Sequence, residues 1–209
     1  GLVVDGTNIN SYPIRLDGTT TFTIIKNGSA RNGHNNYSSG IAFHSDVGYG
    51  DNQILNMDIY HNGQPPWDID MSMAPSGAGI YITGPRNIVD GNRVYDNAGY
   101  GIQLYNGTDT GNVDDCVVKN NTVHNNGYDG GSGRGFIVGS GDGNLVYNNV
   151  IYDNSYGIEV RYNATNTGIY FNTIYSNTNE GMYIYSTSTG ALVKNNIMDG
   201  NGTDNPVND

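Results

Sequence analysis

The sequence carries little charge, and very little of that charge is positive. Only 14% of its 209 residues are charged, and nine Lys and Arg are outnumbered by 20 Asp and Glu, which gives a formal net charge of −11. A nucleic-acid-binding protein needs a basic stripe that displaces counterions from phosphates. We therefore expect no nucleic-acid partner, and any polyanion would need local Arg or metal contacts rather than long-range attraction.

Cysteine and long apolar runs are also scarce. Cys116 is the single cysteine, so no disulfide can form within the chain, and we expect it to be a small core residue. No apolar run reaches the length of about 20 residues that a transmembrane helix needs, so we expect no membrane insertion. The sequence begins directly in repeat sequence without a signal peptide. We interpret residues 1–209 as a single domain that could be a fragment, with N-terminal coils or caps missing.

Glycine, asparagine and tyrosine are abundant, with 31 Gly and 17 Tyr. Such a polar, uncharged composition is typical of many short strands joined by tight turns. A phrase of Gly, apolar, any residue, apolar recurs at Gly40, Gly79, Gly101, Gly135, Gly157 and Gly181. Consecutive copies are 22 to 39 residues apart. The shorter separations give the basic period, and the longer ones contain insertions.

A second pattern precedes most of these glycines, and its clearest copy runs from Val146 to Asn154. Its last Asn is Asn27, Asn62, Asn97, Asn126, Asn154, Asn177 or Asn201. Its inner Asn is Asn92, Asn121, Asn149, Asn172 or Asn196, with Phe22 and Met57 in the first two coils. The apolar position between them is Ile24, Ile59, Val94, Val123, Ile151, Ile174 or Met198. Seven copies predict seven coils.

This period has a specific physical meaning. About 22 residues make one coil of three short strands, each paired in parallel with its equivalent one coil away, about 4.8 Å along the axis. The apolar positions stack into a core, Asn amides form ladders at a turn, and Gly permits the turn before the next strand. The crossover preference favours right-handed coiling. We predict an all-β fold: a right-handed parallel β-helix solenoid of about seven coils, with three parallel sheets and Asn ladders.

These Asn-x-Ile-x-x-Asn and Gly-Ile units resemble the repeats of the right-handed parallel β-helix superfamily, over nearly the whole chain. The resemblance is to polysaccharide lyases, mannuronan C5-epimerases and related surface proteins, and it implies a substrate groove on the Gly-initiated strands. Gly133-Arg134-Gly135-Phe136 is loosely similar to an Arg-His-Gly-Phe stretch of the epimerases, but it lacks the His, and the epimerases' Asp-Pro-His motif is absent. Several such lyases use a Lys base, but Lys26, Lys119 and Lys194 lie outside the groove column.

Alternation along the Gly-initiated strands places the residues between the apolar ones on the outer surface. The expected outward pairs are Arg15/Asp17, Ala42/His44, Tyr81/Thr83, Gln103/Tyr105, Ile137/Gly139, Glu159/Arg161 and Tyr183/Tyr185. Three insertions, 28–39, 63–78 and 127–134, come just before these strands and are expected to form walls along one edge. Any functional site is therefore predicted on this face.

The residues of this face suit a sugar chain. Stacking on sugar rings is expected for Trp67, Tyr81, Tyr105, Tyr183 and Tyr185, and hydrogen bonds to hydroxyls for Gln103 and Glu159. Arg134 and Arg161 could hold a carboxylate or sulfate. The alternative is plain surface stacking, because a second column is also aromatic: Ile25, Tyr60, Tyr95, His124, Tyr152, Tyr175 and Asp199. That column could also be an oligomer contact.

Candidate catalytic residues follow from two kinds of chemistry. β-Elimination from a uronic acid needs a neutralising cation, a base and an acid. His44 suits the base, Tyr81 or Tyr105 the acid, and Arg134 or Arg161 the cation. A glycoside hydrolase would instead need paired carboxylates, with Asp17, Asp68, Asp70 and Glu159 as candidates. Asp68 and Asp70 could also bind Ca²⁺, whereas the spacing of the four His residues does not suggest zinc.

Two functions remain open from the sequence. The first is a secreted or cell-surface carbohydrate-active protein that binds or cleaves a polysaccharide, with lyase chemistry favoured and a glycoside hydrolase second. The second is a structural or adhesive module, such as a stalk, spike or filament subunit, that self-associates or joins further β-helix coils. The uneven insertions favour the first, and the repeated Tyr columns favour the second.

Overall fold

The computed structural model describes residues 1–7, 11–34, 38–46, 48–63, 77–107, 113–127, 133–204 and 207–208. Within these ranges the chain forms 23 β-strands, which are arranged in three parallel sheets of eight, eight and seven strands. We name the sheets A, B and C in the order in which the chain reaches them. The part of the chain described contains no helix, and so none that is long and apolar enough to cross a membrane.

The chain adds one short strand to each sheet in turn. Sheet A contains β1 (Leu2–Asp5), β4 (Gly28–Arg31), β7 (Asp58–Tyr60), β10 (Arg93–Tyr95), β13 (Thr122–His124), β16 (Val150–Tyr152), β19 (Thr173–Tyr175) and β22 (Ile197–Asp199). Sheet B contains β2 (Ile14–Gly18), β5 (Ile41–Ser45), β8 (Ile80–Ile82), β11 (Ile102–Tyr105), β14 (Arg134–Gly139), β17 (Tyr156–Arg161), β20 (Met182–Ile184) and β23 (Val207–Asn208). Sheet C contains β3 (Ile24–Lys26), β6 (Gln53–Leu55), β9 (Ile88–Asp90), β12 (Val117–Lys119), β15 (Leu145–Tyr147), β18 (Gly168–Tyr170) and β21 (Leu192–Lys194).

The order A, B, C is completed seven times before the last strands of A and B. This confirms the prediction of a solenoid of about seven coils. The core is a set of stacked columns, one inward residue from each coil. In sheet A the column runs through Ile59, Val94, Val123, Ile151 and Ile174, all with no exposed surface.

Two Asn ladders flank this column, as predicted. Asn121 is typical: its Oδ1 accepts from both the backbone N–H and Nδ2 of Asn92, each at 2.9 Å. Its own Nδ2 donates to Oδ1 of Asn149 and to the carbonyl of Val89, each at 3.0 Å. The side-chain amide of Asn121 thus has hydrogen-bond partners for both its oxygen and its nitrogen. Buried polar groups need such partners, because a buried polar atom without one destabilises the fold.

A third ladder was not predicted. It lies at the start of sheet C, where Oδ1 of Asn87 accepts from the backbone N–H of Asn52 at 2.9 Å, and Oδ1 of Asn144 accepts in the same way from Cys116. Cys116 is fully buried, as expected of a core residue, and its Sγ lies 3.3 Å from the carbonyl of Gly84. This ladder mixes Asn with other residues, so its sequence signal is weak.

The predicted alignment of the first coil was wrong. Ala30, not Ile24, pairs with Ile59 in the core column of sheet A, and Gly33, not Asn27, occupies the ladder position below Asn62. Likewise Gly28 replaces Phe22 at the inner ladder position, next to Met57. The coil that begins with β4 has glycine at these two ladder positions, so the Asn pattern fitted residues 22–27 instead, which lie at β3 in sheet C. Residues 28–31 are therefore strand β4 and not part of an insertion.

The glycine that recurs at the start of six strands of sheet B has a different cause from the one predicted. These glycines are not in the left-handed region. A Cβ at Gly135 would lie 2.6 Å from Cγ2 of Ile151 and 3.2 Å from Nδ2 of Asn154. The backbone approaches the core column and the Asn ladder so closely that no side chain fits.

Candidate active site on the outer face of sheet B

The outward column of sheet B follows the predicted register. Arg15 pairs with Ala42, and Asp17 with His44; Tyr81 lies between Ala42 and Gln103. The column continues through Ile137, Glu159 and Tyr183. The structure thus brings the predicted residues onto one face, but it divides them into two clusters. We call these the His44 cluster and the Glu159 cluster.

The His44 cluster contains Tyr12, Arg15, Asp17, His44 and Tyr81. The imidazole of His44 meets the ring of Tyr81 edge to face at 5.1 Å between centroids, and that of Tyr12 at 5.6 Å. Arg15 lies over the ring of Tyr12 and pairs with Asp17, with Nε to Oδ1 at 2.7 Å. A cation, an imidazole and a phenol therefore lie together on β2, β5 and β8.

Burial sets the protonation state of two members of this cluster. It lowers the pKa of His44, and the positive charge of Arg15 lowers it further, while Asp17 acts in the opposite direction. Burial also raises the pKa of Tyr81 to about 12, with smaller contributions from Tyr105 and Tyr12. Both side chains are therefore held in their neutral forms near pH 7.

The Nε2 atom of His44 is shielded from solvent and has no hydrogen-bond partner among the described residues. A buried acceptor or donor without a partner is costly, and the structure compensates this nitrogen only through ring contacts with Tyr12 and Tyr81. A ligand group could reach this nitrogen only if the ring turned, and no hydrogen bond at Nε2 opposes such a turn.

The Glu159 cluster is an ion-paired group of two Arg and one Glu. Glu159 has 1% exposed surface although it points outward from the sheet. Its Oε2 lies 2.9 Å from Nε of Arg134 and 3.0 Å from Nη1 of Arg161. The guanidinium groups cover the carboxylate, so the outward position is buried by side chains of the same face.

Tyrosine rings surround these guanidinium groups. Arg134 lies 4.7 Å from the ring centroid of Tyr156, and Arg161 lies 5.4 Å from that of Tyr185 and donates to the hydroxyl of Tyr162. Burial lowers the pKa of Arg134, but the hydrogen bond and charge of Glu159 outweigh it, so that the pKa is raised overall. Arg134 therefore stays charged although it is largely buried among aromatic rings.

The two clusters lie at different positions along the helix axis. Three strand steps separate β5 from β14, which corresponds to about 14 Å along the helix axis. Gln103 and Tyr105 occupy the space between them, and the ring of Tyr105 lies 4.8 Å from that of Tyr162. The two clusters are therefore separate groups of side chains on the same face.

Of the carboxylates suggested for a glycoside hydrolase, the structure describes Asp17 and Glu159, and it does not bring these two together. Asp17 on β2 and Glu159 on β17 are five strand steps apart, about 24 Å, whereas paired catalytic carboxylates lie within about 10 Å. Trp67, Asp68 and Asp70 lie outside the described residues, as do most of the predicted walls. The described residues contain no group of three or more His, Cys, Asp or Glu that could hold a metal ion.

Two features of this face were not given a role from the sequence. Tyr12 lies in the turn before β2, outside the repeated phrase, and Arg15 was placed on the column without a function.

A cleft lies at the opposite edge of sheet B. The turns after β14 and β17 form part of this cleft, which has a volume of about 330 Å³ and is lined by Asp114, Ser140, Gly141, Asp142, Tyr162, Asn163 and Thr165. The sequence predicted insertions only at the edge where the strands of sheet B begin, so it gave no indication of a cleft at the edge where they end.

The second aromatic column lies on sheet A, as predicted. The rings of Tyr60, Tyr95, His124, Tyr152 and Tyr175 stack at 4.7 to 5.1 Å between centroids, with planes within 12° of parallel. Arg31 on β4, not Ile25, is the neighbour of Tyr60 in this column, and its Nη1 donates to the hydroxyl of Tyr60 at 2.9 Å. Because the ring faces cover one another, this column presents ring edges to the solvent.

Comparisons with known proteins found a matching family and a similar solved structure. Among solved structures, the chain is similar to a crystal structure of pectate lyase Pel9A, with 21% sequence identity and a TM-score of 0.41. The match covers 87% of this chain and 54% of that one, so the chain spans about half the length of that protein. No curated protein matches the sequence. The family described as "Right handed beta helix region" matches residues 4–136 and 129–204. Since this match covers nearly the whole chain, the protein belongs to the right-handed β-helix family.

Proposed function

We propose that the protein is an extracellular or cell-surface carbohydrate-active β-helix that binds an acidic polysaccharide along the outer face of sheet B and cleaves it by β-elimination. The observation that carries this proposal is the His44 cluster. It combines a neutral imidazole, a neutral phenol and a guanidinium on three neighbouring strands. These are the groups that the elimination from a uronic acid requires.

The reaction assigns one role to each group. Arg15 binds the sugar carboxylate and so stabilises the negative charge that develops when the proton at C5 is removed. His44 accepts that proton. The electron pair left at C5 forms the C4–C5 double bond, the C4–O bond breaks, and Tyr81 donates a proton to the departing oxygen. The lowered pKa of His44 and the raised pKa of Tyr81 keep both groups ready for these transfers.

One geometric condition follows from the shielding of His44 Nε2. The base must reach the substrate through Nδ1, or the ring must turn about its outer bond, which exchanges the two nitrogens. Edge-to-face contacts with Tyr12 and Tyr81 hold the ring by modest energies, about 1 kcal/mol each. Such a turn is therefore compatible with substrate binding.

The rest of the face supplies further contacts for an extended chain. Gln103 and Tyr105 lie next to Tyr81, and the Glu159 cluster follows, with Tyr183 and Tyr185 beyond it. With a net charge of −11, the protein as a whole repels a polyanion, so binding must depend on Arg15, Arg134 and Arg161. We expect binding to weaken as salt is added, because these contacts are electrostatic.

The proposal is tested by incubating the protein with a panel of uronic-acid and neutral polysaccharides. Unsaturated ends are followed by their ultraviolet absorbance, and new reducing ends are measured in parallel. Elimination predicts that a uronic-acid polymer yields one unsaturated end for each new reducing end. Reducing ends without unsaturation would indicate hydrolysis, and the absence of both products and of binding would refute the proposal.

A structural or adhesive module is the second candidate, favoured by one observation. The stacked column on sheet A runs through five consecutive coils without a break. Stacked pairs stabilise the solenoid along its axis and need no ligand. If no polysaccharide binds, a load-bearing or spacer role in a longer β-helix becomes the better account.

A further inference from the structure

The outer face of sheet C carries an apolar stripe. One outward position from each coil forms the column Ile24, Gln53, Ile88, Val117, Leu145, Gly168 and Leu192. Five of these seven residues are aliphatic. Ile24 is 52% exposed and Leu192 45%, while Ile88, Val117 and Leu145 are partly exposed. The corresponding column on sheet A contains Asp58, Arg93 and three other polar residues, so an aliphatic stripe is not a general property of this solenoid.

A row of lysines runs beside the apolar stripe. The second outward column of sheet C is Lys26, Leu55, Asp90, Lys119, Tyr147, Tyr170 and Lys194. These are all three lysines of a chain that has 20 acidic residues. With Asp90 as the single acidic member, the column has a net positive charge on a protein of net charge −11.

Two of these lysines are available to a partner. Lys119 lies 3.5 Å from Asp90, but Lys26 and Lys194 have no ion-pair partner among the described residues, and both are exposed. Each is three strand steps from Lys119, about 14 Å. The apolar stripe therefore has beside each of its ends a lysine, Lys26 or Lys194, without an ion-pair partner in the described part of the chain.

The shape of the surface limits what can cover it. The backbone groups of the inner strands are already paired with neighbouring strands, so a partner can meet only side chains. An α-helix packs on a sheet face through side chains alone. Six strand steps span about 29 Å, the length of a helix of about 19 residues.

We propose that the outer face of sheet C is a docking surface for an acidic amphipathic α-helix of a partner protein. The apolar ridge of the helix lies on the stripe from Ile24 to Leu192, and its carboxylates lie beside Lys26 and Lys194. Neither group is used by the sugar site, which lies on sheet B. Contiguous exposed apolar surface rimmed by charge is typical of interaction sites, and charge complementarity selects the acidic partner.

The test uses a synthetic peptide of 20 residues that forms an amphipathic helix with a Leu ridge flanked by Glu, and a matched peptide with Lys in place of Glu. Binding of each labelled peptide to the whole protein is followed by fluorescence anisotropy at low salt. We expect the acidic peptide to bind at least about tenfold more tightly. Equal binding of the two peptides, or no binding of the acidic one, would overturn the proposal.

Three variants locate the surface. Leu145→Asp should weaken binding of the acidic peptide at least about tenfold, whereas the control Val150→Asp, at a partly exposed outward position on sheet A, should leave it within about twofold. The double variant Lys26→Glu, Lys194→Glu changes two exposed residues without threatening the core, and it should reverse the preference to the basic peptide. Retained binding by both altered proteins would place the peptide elsewhere. A dimer in sedimentation velocity that Leu145→Asp abolishes would instead identify a second copy of the chain as the occupant.

Discussion

His44 and Tyr81 lie on neighbouring strands with their rings edge to face, 5.1 Å apart between centroids, and burial favours the neutral form of both. A neutral imidazole can accept a proton, and a phenol with a pKa of about 12 retains one to donate. The same desolvation that packs the two rings together therefore prepares a base and an acid on one face of the solenoid.

The pH dependence of catalysis follows from these shifts. Because the pKa of His44 is lowered from 6.5, the base is active at pH 7, and kcat/KM should fall only as the pH drops below 6.5. Tyr81 should cause no loss at alkaline pH until about pH 12. Asp17→Asn removes an influence that raises the pKa of His44, so it should shift the acid limb to lower pH. An acid limb with an apparent pKa above 6.5 would contradict this assignment.

His124 lies in the aromatic column of sheet A, between Tyr95 and Tyr152, and should make stability depend on pH. Its pKa is lowered mainly by burial, while Asp96 raises it, Arg93 lowers it and Asp153 raises it by smaller contributions. The unfolded chain therefore binds this proton more tightly than the folded one. The stabilisation is complete above about pH 6.5 and is lost as the pH falls through the folded pKa.

The variant His124→Tyr tests this directly. A tyrosine continues the stack of Tyr95 and Tyr152 and removes the proton-binding group. The loss in free energy of unfolding between pH 8 and pH 5, measured by urea denaturation, should be smaller in the variant than in the wild type. His44 has a shift of the same sign, so part of the loss should remain. An equal or larger loss in the variant would exclude His124 as the cause.

The sequence was sufficient to predict the solenoid, the parallel pairing and two of the three Asn ladders, because each coil repeats the same constraint. The third ladder was missed because Cys116 and Thr167 replace Asn at its level, so its repeat is incomplete. The first copy of the Asn pattern was misaligned because Gly28 and Gly33, at β4, stand where most later copies have Asn. The Asn pattern cannot be recognised at these two positions, because the backbone N–H groups of Gly28 and Gly33 make the ladder hydrogen bonds without an Asn side chain.

The ladders should contribute strongly to stability. Asn121→Ala removes the acceptor for both N–H groups of Asn92 and the donor to the carbonyl of Val89, in a site with 1% exposure. We expect a loss of about 3 kcal/mol in the free energy of unfolding. The control is Asn125→Gly, at an exposed turn position with φ of 52°, which should change stability by less than about 0.5 kcal/mol. Similar values for both would show that the ladder bonds contribute little.

Glu159 should be needed for stability as well as for the shape of the groove. Glu159→Gln leaves the guanidinium groups of Arg134 and Arg161 close together without their shared carboxylate, which we expect to cost about 3 kcal/mol in the free energy of unfolding. Glu180, the other glutamate of the chain, is partly exposed, and Glu180→Gln should be nearly neutral. The free energy of unfolding of both variants is measured by urea denaturation. An unchanged value for Glu159→Gln would contradict a structural role for the ion pairs of Glu159 with the two arginines.

The candidate site was predicted only in part, for geometric reasons. Alternation along the strands was enough to place His44, Tyr81 and Glu159 on one face. It could not show that Arg134 and Arg161 are occupied by Glu159, because that contact depends on rotamers and not on register. Nor could it show that Tyr12, which belongs to a turn, packs against His44.

The most direct test of the proposed chemistry is the rate at which unsaturated ends form from a uronic-acid polysaccharide, compared between the wild type, His44→Gln and His61→Gln. His61 is an exposed histidine outside sheet B, so its replacement controls for the loss of a histidine as such. The proposal predicts that His44→Gln lowers this rate at least about a hundredfold while binding of the polysaccharide persists, and that His61→Gln retains the wild-type rate. Unchanged formation of unsaturated ends by His44→Gln would show that His44 is not the base.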